Sequence, residues 1–383
     1  MILFHDFVAL DKSLWFHDIY GPGIYKLDVV SHQLSLENIL KGDVDEKRKY
    51  GRCFVYKQKI LFLPLNGNNI IVYDRVYKKS EEVILPIVIR QNNDKFFPYI
   101  IKDSRLFLFP WRCPFIIMMD LDTYDVKIIT DWIDSYKKYE TNTQLTFFRK
   151  DVLVDGEFAF LVTWQAPIIF KYNLNTLEYE FIEINNSMFG FSTICKGDNR
   201  IILTDKTGEI YISDLAFNYV EKLCCDAYKN KYIFFESFFL NGKIWLVGAR
   251  KKVLVSIDTK TLDVEYIRID EEQTTSRIIC AKPYNEKDFL IQLDNGYIYI
   301  YYSEQKELKE VKIDKKHALI EGYNNVVANG YKLILNEQHF SNYGLDVYLA
   351  IIKDGCEISK KEDKNLLVGK QIIIKMKEDK NES

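Results

Sequence analysis

Two short segments combine a tryptophan with a polar neighbour and with a proline three residues further on. They read Trp111-Arg-Cys-Pro114 and Trp164-Gln-Ala-Pro167. Tryptophan and arginine together on a loop are typical of recognition surfaces, and flat aromatic faces stack on sugars and peptide side chains. The segments therefore predict a contact patch, with packing between structural units as the alternative for the tryptophans. The predicted contact residues are Trp111, Arg112, Trp164 and Gln165.

An internal repeat indicates which elements would present these loops. Three segments share an apolar or aromatic residue, Asp or Asn, two variable positions and Thr, and they are Met119–Lys127, Tyr172–Glu180 and Ile257–Glu265. Four weaker copies complete the set. The anchors are Asp28, Asp74, Asp120, Asn173, Asp214, Asp258 and Tyr302, at spacings of 46, 46, 53, 41, 44 and 44 residues. A regular period in this range indicates a repeat architecture.

Each repeat is predicted to contain four short antiparallel strands. The anchor closes an apolar strand, which follows a turn and an earlier apolar strand such as Ile60–Pro64. A further strand, for example Cys53–Tyr56, lies before most of these, and an alternating strand such as Val264–Ile269 follows the anchor. Asp or Asn suits the turn because its side chain can bond the backbone two residues on. The threonine hydroxyl can support the same turn.

The repeat resembles the β-propeller superfamily over roughly residues 1–340. It carries neither the GH…WD signature nor the Gly-Gly pair of kelch repeats, so no named subfamily is indicated. The resemblance implies an all-β fold with a single propeller of four-stranded blades, in which seven blades are favoured and six or eight are alternatives. Stacked blades bury both faces of each sheet, and ring closure protects the edges. Ile2–Leu10 could form the first inner strand, and Val326–Asn336 could add a strand that closes the ring.

Propellers usually bind at one end of the central channel, where turns between the second and third strands meet the connections between blades. The resemblance therefore adds further residues to the candidate patch, namely His17, Asp18, Tyr20 and Arg250. Arg52 and Arg149 stand near the starts of inner strands and could face the channel, with packing between blades as the alternative. Three other loops, at Asn66-Gly67, Thr207-Gly208 and Asn295-Gly296, predict tight turns with positive φ.

The sequence lacks the GxSxG, P-loop and GxGxxG motifs that mark many enzymes. We therefore expect a non-catalytic binding or scaffold propeller that recognises a protein, peptide or glycan-like partner at the channel mouth, without a cofactor. The alternative is a lyase or hydrolase that acts on a carbohydrate or peptide there. Its first suspects would be His17, Arg52, Arg112 and Arg149.

Composition limits the partners and the compartment. The net charge is −3 with 28% charged residues, which argues against nucleic-acid binding. Seven cysteines at irregular spacings without CxxC, and five histidines without a ligand cluster, predict free buried thiols and no metal site. No window approaches 18 apolar residues and no secretory signal is evident, so we expect a cytoplasmic protein without membrane insertion.

The last part of the chain, residues 341–383, reads differently from the repeats. Leu345, Tyr348, Leu349 and Ile352 would share one helical face. A second short helix is expected over Leu366–Lys377, with a strand as the alternative, and the final residues should fray. This tail is predicted either to cap the propeller or to dock a partner.

Overall fold

The computed structural model describes residues 2–19, 23–40, 50–86, 95–139, 146–185, 187–223, 233–248, 253–269 and 276–313. Within these ranges 28 strands form seven antiparallel sheets of four strands, which stand in a ring as the blades of a β-propeller. The strands follow one another in chain order across every blade, and the first strands of neighbouring blades contact each other around the channel. The predicted all-β fold and the favoured count of seven blades are confirmed.

The blades divide the chain into seven consecutive sets of four strands. Blades 1 to 3 contain β1 (Val8–Leu10), β2 (Ser13–His17), β3 (Gly23–Asp28), β4 (Leu34–Ile39), β5 (Tyr50–Tyr56), β6 (Lys59–Pro64), β7 (Asn69–Asp74), β8 (Lys79–Ile84), β9 (Phe96–Lys102), β10 (Arg105–Pro110), β11 (Ile116–Asp120) and β12 (Val126–Ile129). A short helix, α1 (Ile133–Lys137), follows β12. Blades 4 and 5 contain β13 (Phe148–Asp155), β14 (Phe158–Thr163), β15 (Ile168–Asn173), β16 (Tyr179–Glu183), β17 (Phe191–Lys196), β18 (Ile201–Asp205), β19 (Ile210–Ser213) and β20 (Val220–Lys222). Blades 6 and 7 contain β21 (Phe234–Leu240), β22 (Lys243–Gly248), β23 (Val253–Asp258), β24 (Val264–Arg268), β25 (Ile278–Pro283), β26 (Phe289–Leu293), β27 (Ile298–Tyr302) and β28 (Glu307–Glu310).

The repeated anchors form the turns between the third and fourth strands. The Asp120 carboxylate accepts hydrogen bonds from the backbone N–H groups of Asp122 and Thr123, at 2.8 and 2.9 Å. The Thr123 hydroxyl donates to the Asp125 carboxylate at 2.8 Å, which stabilises the same turn. The anchors at positions 28, 74, 173 and 258 accept the same two backbone bonds. Asp214 differs, because it accepts from the N–H of Asn218 instead.

Aromatic side chains fill the space between blades. Trp132, just before α1, is fully buried, and its ring centre lies 5.3 Å from that of Phe148 and 5.8 Å from that of Phe170. Phe109 of blade 3 meets Tyr172 of blade 4 edge to face at 5.7 Å. Burial of each large apolar side chain stabilises the fold by about 1.5–3 kcal/mol. Much of the aromatic composition is therefore structural.

The N-terminal segment packs against the last blade. The Phe4 N–H donates to the Gln292 side-chain oxygen at 2.9 Å, and the Gln292 amide donates back to the Ile2 carbonyl at 3.1 Å. Phe4 and Phe7 share a hydrophobic cluster with Leu290. These contacts join the two ends of the ring within the described residues.

Some sequence predictions need correction, and others fall outside the described part of the chain. The first inner strand covers Val8–Leu10 rather than Ile2–Leu10, because the preceding residues pack against blade 7. Gly208 and Gly296 have positive φ as predicted, at 90° and 86°, whereas Gly67 does not. Its four-residue loop is instead held by the Lys95 ammonium, which donates to the Gly67 carbonyl at 3.0 Å. The expected strand 326–336 and the tail 341–383 lie outside the described residues.

Candidate functional site

One end of the ring, here called the channel-mouth face, carries loops such as 111–115 and 164–167 together with connections such as 187–190. Backbone hydrogen bonds join the two kinds of segment. The Phe147 N–H donates to the Trp111 carbonyl at 2.7 Å, where the chain enters blade 4. The expected meeting of second-to-third-strand loops with the connections between blades is confirmed.

The inner strands of blades 2 to 7 carry a register shift toward this face. In blade 4, Phe148 pairs with Thr163, but the next pair is Val152 with Leu161. Residues 149–151 therefore oppose a single residue of the neighbouring strand. A bulge of this kind changes the direction of the side chains it contains. The first of the three lies against the tryptophan loops, and the other two contact groups inside the channel.

Arg149 lies over the rings of both predicted tryptophans. Its guanidinium carbon lies 4.8 Å from the ring centre of Trp111 and 4.3 Å from that of Trp164. Each cation–π contact is worth about 0.5–1 kcal/mol when exposed and about 2 kcal/mol when desolvated. We call these three residues the Trp–Arg–Trp stack. It joins the second-to-third-strand loops of blades 3 and 4 to the inner strand of blade 4.

The surrounding residues fix both tryptophans. The Phe97 ring centre lies 4.4 Å from that of Trp111 and covers part of its surface. Gly190 lies directly against the Trp164 backbone, because a Cβ atom at position 190 would stand 2.2 Å from the Trp164 carbonyl oxygen. Only glycine fits this approach without a shift of the backbone. The stack is therefore preorganised by packing from blades 3 and 5.

The Arg149 guanidinium makes no hydrogen bond or ion pair to any residue that the structure describes. Its Nε atom is shielded from solvent and has no partner among those residues. Burial lowers the pKa of Arg149 to about 10, against an opposing effect of Asp151. A pKa near 10 leaves the side chain positively charged at neutral pH. The stack thus holds a partly desolvated cation whose N–H groups are available for a ligand.

Exposed apolar residues accompany the stack. Met188 is 87% exposed and Phe189 is 37% exposed, and both precede the glycine that packs on Trp164. The Lys206 ammonium lies 4.8 Å from the Phe189 ring centre, and the exposed Arg112 guanidinium lies 6.0 Å from that of Trp111. This part of the channel-mouth face is both apolar and cationic. We call Met188, Phe189, Lys206 and Arg112 the rim of the stack.

Inside the channel, charged side chains from different blades pair with one another. The Lys150 ammonium lies 2.6 Å from the Glu236 carboxylate, and the Arg52 guanidinium lies 3.4 Å from the same carboxylate. Arg52 also donates to the Lys150 carbonyl at 3.0 Å. Asp6 lies 3.9 Å from Arg52 and 2.8 Å from the Lys282 ammonium. The prediction that Arg52 faces the channel is confirmed, and its charge is balanced there.

Asp151 is a buried acid of this channel network whose pKa is raised. It is 7% exposed and accepts a hydrogen bond from the Ser237 hydroxyl at 2.6 Å. Burial raises its pKa to about 7, and the nearby Glu236 carboxylate adds to the rise. The Ser237 bond and the positive charges of Arg52 and Lys150 oppose it. Asp151 is consequently half protonated near neutral pH.

His17 and Asp18 are buried in blade 1. The His17 ring centre lies 5.0 Å from that of Tyr50, in an edge-to-face contact with blade 2. The Asp18 carboxylate accepts from the Leu3 N–H at 3.1 Å. Both side chains therefore have structural contacts at the start of the ring.

The other predicted site residues lie in different parts of the chain and are not all described by the structure. Gln165 is half-buried beside Trp164, and Arg112 is exposed at the rim. Tyr20 and Arg250 lie outside the described residues. The structure thus joins Trp111, Arg112, Arg149 and Trp164, while Arg52 belongs to the channel network. The four suspects of the catalytic alternative lie apart: His17 is in blade 1, Arg52 is in the channel network, Arg149 is in the stack and Arg112 is in its rim.

The sequence analysis did not assign Lys150, Asp151, Glu236, Met188 or Phe189 to the candidate site. The adjacency of Arg149, Lys150 and Asp151 was an available signal, because three charges in a row at the start of an apolar strand disagree with simple alternation. For Glu236 no local signal exists, since its partner is 86 residues away in the chain. Met188 and Phe189 were available as apolar residues beside a glycine in a connection between blades.

A second concavity lies between the outer strands of blades 3 and 4. This groove has a volume of about 950 Å³ and includes Ile128, Asp131 and Tyr179 in its lining. Lys171, a cation in its wall, is already paired with Glu180 at 2.6 Å. Lys127, the second lysine of this lining, is exposed on the outer strand β12. Neither lysine lies over two tryptophan rings, as Arg149 does, so the stack is the stronger candidate site.

Within the described ranges, no group of three or more His, Cys, Asp or Glu side chains is arranged to hold a metal ion. Cys53, Cys113, Cys195 and Cys280 are buried free thiols, as predicted for these four. No helix in this part of the chain has the length and apolar character needed to cross a membrane.

Comparison with known proteins supports the fold. No family model matches the chain, and no curated protein matches it. Among solved structures, it is similar to streptogramin B lyase, with 12% identity over 80% of this chain and 92% of that chain and a TM-score of 0.53. It is also similar to BamB from Moraxella catarrhalis, with 10% identity over 77% and 83% of the two chains and a TM-score of 0.52.

A third similar structure is PorZ, a bacterial surface component of the type-IX secretion system of Porphyromonas gingivalis. The identity is 10% over 81% of this chain and 38% of that chain, with a TM-score of 0.54. Identities this low show a common propeller fold and no more. The function must be argued from the residues of the site.

Proposed function

We propose that the chain is a non-catalytic binding propeller that recognises a protein or peptide partner through its channel-mouth face. The observation that carries the proposal is the Trp–Arg–Trp stack, a rigid aromatic and cationic group beside the exposed Met188 and Phe189. Tryptophan and arginine are enriched among residues that dominate binding energy at protein interfaces. The similarity to streptogramin B lyase, BamB and PorZ is compatible with binding and with catalysis. The choice between these two functions therefore rests on the residues of the candidate site.

The arrangement favours a protein over a glycan. Sugar stacking uses an uncovered aromatic face, and the surface available for it is reduced here because Arg149 lies over both tryptophan rings and Phe97 also packs on Trp111. A peptide can instead use the cation and the apolar rim together. The odd number of irregularly spaced cysteines supports a reducing, cytoplasmic setting, which is part of the proposal.

The test is capture of a partner by immobilised protein, with two variants compared. Trp111→Ala combined with Trp164→Ala removes the stack, whereas Tyr77→Ala removes an aromatic side chain that is 70% exposed on a turn at the opposite end of blade 2. We expect the double variant to lose the captured protein and Tyr77→Ala to retain it. Equal capture by the double variant, with an unchanged melting curve, would refute the proposed face.

A lyase or hydrolase is the second candidate, supported by one observation. Asp151 has a pKa of about 7, which suits general acid–base catalysis. Incubation with a mixture of peptides and oligosaccharides, followed by mass spectrometry, should then give products that disappear with Asp151→Asn. Products that persist in this variant would exclude Asp151 as the catalytic group, and an absence of products would favour the binding role.

A further inference from the structure

We propose that Arg149 is the receptor for a single carboxylate of the partner, presented by an acidic peptide segment with an apolar neighbour. This inference depends on the proposed binding function and specifies its ligand chemistry. Three features carry it: the geometry of the stack, the charges around it and the composition of the rim. Each of them restricts the ligand in a different way.

The two tryptophans pack on the guanidinium and leave its hydrogen-bond donors without a partner in the described part of the protein. The ring centres of Trp111 and Trp164 lie 4.8 and 4.3 Å from the guanidinium carbon. Within the described residues no carboxylate or carbonyl oxygen pairs with Arg149, and Nε has no partner there. The N–H groups of arginine form a planar fork that matches a carboxylate through two parallel hydrogen bonds. A neutral ligand would leave the desolvated charge uncompensated.

The charges inside the channel, on the inner side of Arg149, favour one negative charge rather than two. The channel cations are committed, since Lys150 and Arg52 both face Glu236 and Lys282 faces Asp6. Asp151, one residue beyond Lys150, adds negative potential as it ionises. Arg149 is therefore matched by a monoanionic carboxylate better than by a phosphate dianion.

The rim indicates what stands next to the carboxylate. Met188 and Phe189 are exposed and apolar, and they adjoin the glycine against which Trp164 packs. A methionine and an aromatic ring together form an adaptable surface for an apolar side chain. Lys206 and Arg112 at the same rim add long-range attraction for acidic segments. The ligand inferred is thus an acidic residue beside an aromatic or aliphatic one.

The experiment compares two blocked dipeptides that differ in one charge, acetyl-Glu-Phe-amide and acetyl-Gln-Phe-amide, with inorganic phosphate as a third probe. Binding is followed by the indole N–H resonances, assigned with Trp111→Phe and Trp164→Phe. We expect the glutamate peptide to shift both resonances and to bind at least about tenfold more tightly than the glutamine peptide, as for hydrogen bonds to charged groups. Its affinity should fall as salt is added.

Arg149→Lys tests the planar fork, because it keeps the charge but not the two parallel bonds. We expect about a tenfold or greater loss of glutamate-peptide affinity in this variant, and little loss in the control Lys260→Gln, which removes an exposed cation from the turn between β23 and β24 at the opposite end of blade 6. A melting curve like that of the parent protein shows that Arg149→Lys is folded. Full affinity in the folded Arg149→Lys variant, no preference for the glutamate peptide, or tighter binding of phosphate would each overturn the inference.

Failure of the carboxylate assignment can be distinguished from failure of the proposed binding function. If Arg149→Lys captures the protein partner normally while the double tryptophan variant does not, the binding face stands and the carboxylate assignment falls. If the double tryptophan variant captures the partner as the parent protein does, the binding face itself is wrong.

Discussion

Replacement of Asp151 by asparagine should change how the stability of the propeller depends on pH. Asp151 is buried in the channel network, and its pKa in the folded protein is about 7 rather than the ordinary 3.8. The uncharged acid is therefore favoured by the fold. Asparagine is uncharged at every pH and can still accept the hydrogen bond from the Ser237 hydroxyl, so the substitution isolates the ionisation of Asp151.

The direction follows from the two pKa values. Below pH 3.8 the acid is protonated in both the folded and the unfolded chain, and its ionisation has no effect on stability. Between pH 3.8 and 7 the unfolded chain loses its proton while the folded protein retains it, so the parent protein loses stability as the pH rises. A difference of about three pH units corresponds to ~4 kcal/mol. Above pH 7 the difference becomes constant.

The assay is urea unfolding of the parent protein and Asp151→Asn at several pH values from 4 to 8. The free energy of unfolding of the variant, relative to the parent, should rise by about 4 kcal/mol across this range. Any cost of altered packing adds a constant to the difference in the free energy of unfolding. The prediction is therefore tested by how this difference varies with pH and not by its absolute value. Asp120→Asn is the control, because backbone N–H groups lower the pKa of that exposed acid. The ionised Asp120 stabilises the parent protein above pH 3.8, and this stabilisation is lost as the pH falls. The stability of Asp120→Asn relative to the parent should therefore change only in acid, where it decreases as the pH rises.

A relative stability of Asp151→Asn that stays flat between pH 4 and 8 would refute the reasoning. It would mean that the positive charges of Arg52 and Lys150 outweigh the effects of burial and of Glu236. A change in the relative stability of Asp151→Asn that is confined to pH values below 4 would likewise show that Asp151 is already ionised at neutral pH in the folded protein.

Three further predictions concern the stack, the channel and the thiols. Gly190→Ala should cost about 1–3 kcal/mol in the free energy of unfolding and weaken partner capture, because its Cβ displaces the Trp164 backbone; unchanged melting and capture would contradict the close approach. Glu236→Gln should cost about 3–5 kcal/mol in urea unfolding, because Lys150 loses its buried partner; a cost below about 1 kcal/mol would argue against the pairing. Burial raises the pKa of the Cys53 thiol, so peptide mapping after iodoacetamide treatment should show its alkylation only when the protein unfolds, and rapid alkylation of the native protein would disprove its burial.

The blade architecture was predictable because its signals are local. Asp120 bonds backbone groups two and three residues ahead, so the same short pattern marks the same turn in successive blades. The period of these turns gives the number of blades. The hairpin at Asn66-Gly67 was predicted wrongly in detail, because the tertiary contact from Lys95 determines its conformation.

The candidate site was predictable only in part. The two tryptophan loops were found from their matched positions, and Arg149 from its place near an inner strand. The stack itself depends on a bulge in blade 4, and a bulge is a property of the pairing between β13 and β14 rather than of either strand. The pairing of Lys150 with Glu236 joins blades 4 and 6 across the channel, a relation that no local pattern contains.

Site-specific photo-crosslinking tests the central claim most directly. A photoreactive phenylalanine is placed at Phe189 on the channel-mouth face in one protein and at Tyr77, on the opposite face, in another. The account predicts that the captured partner is crosslinked from position 189 and not from position 77, and that the crosslink from 189 disappears when Trp111 and Trp164 are both replaced by alanine. Crosslinking from position 77 alone, or crosslinking from position 189 that persists without the two tryptophans, would contradict it.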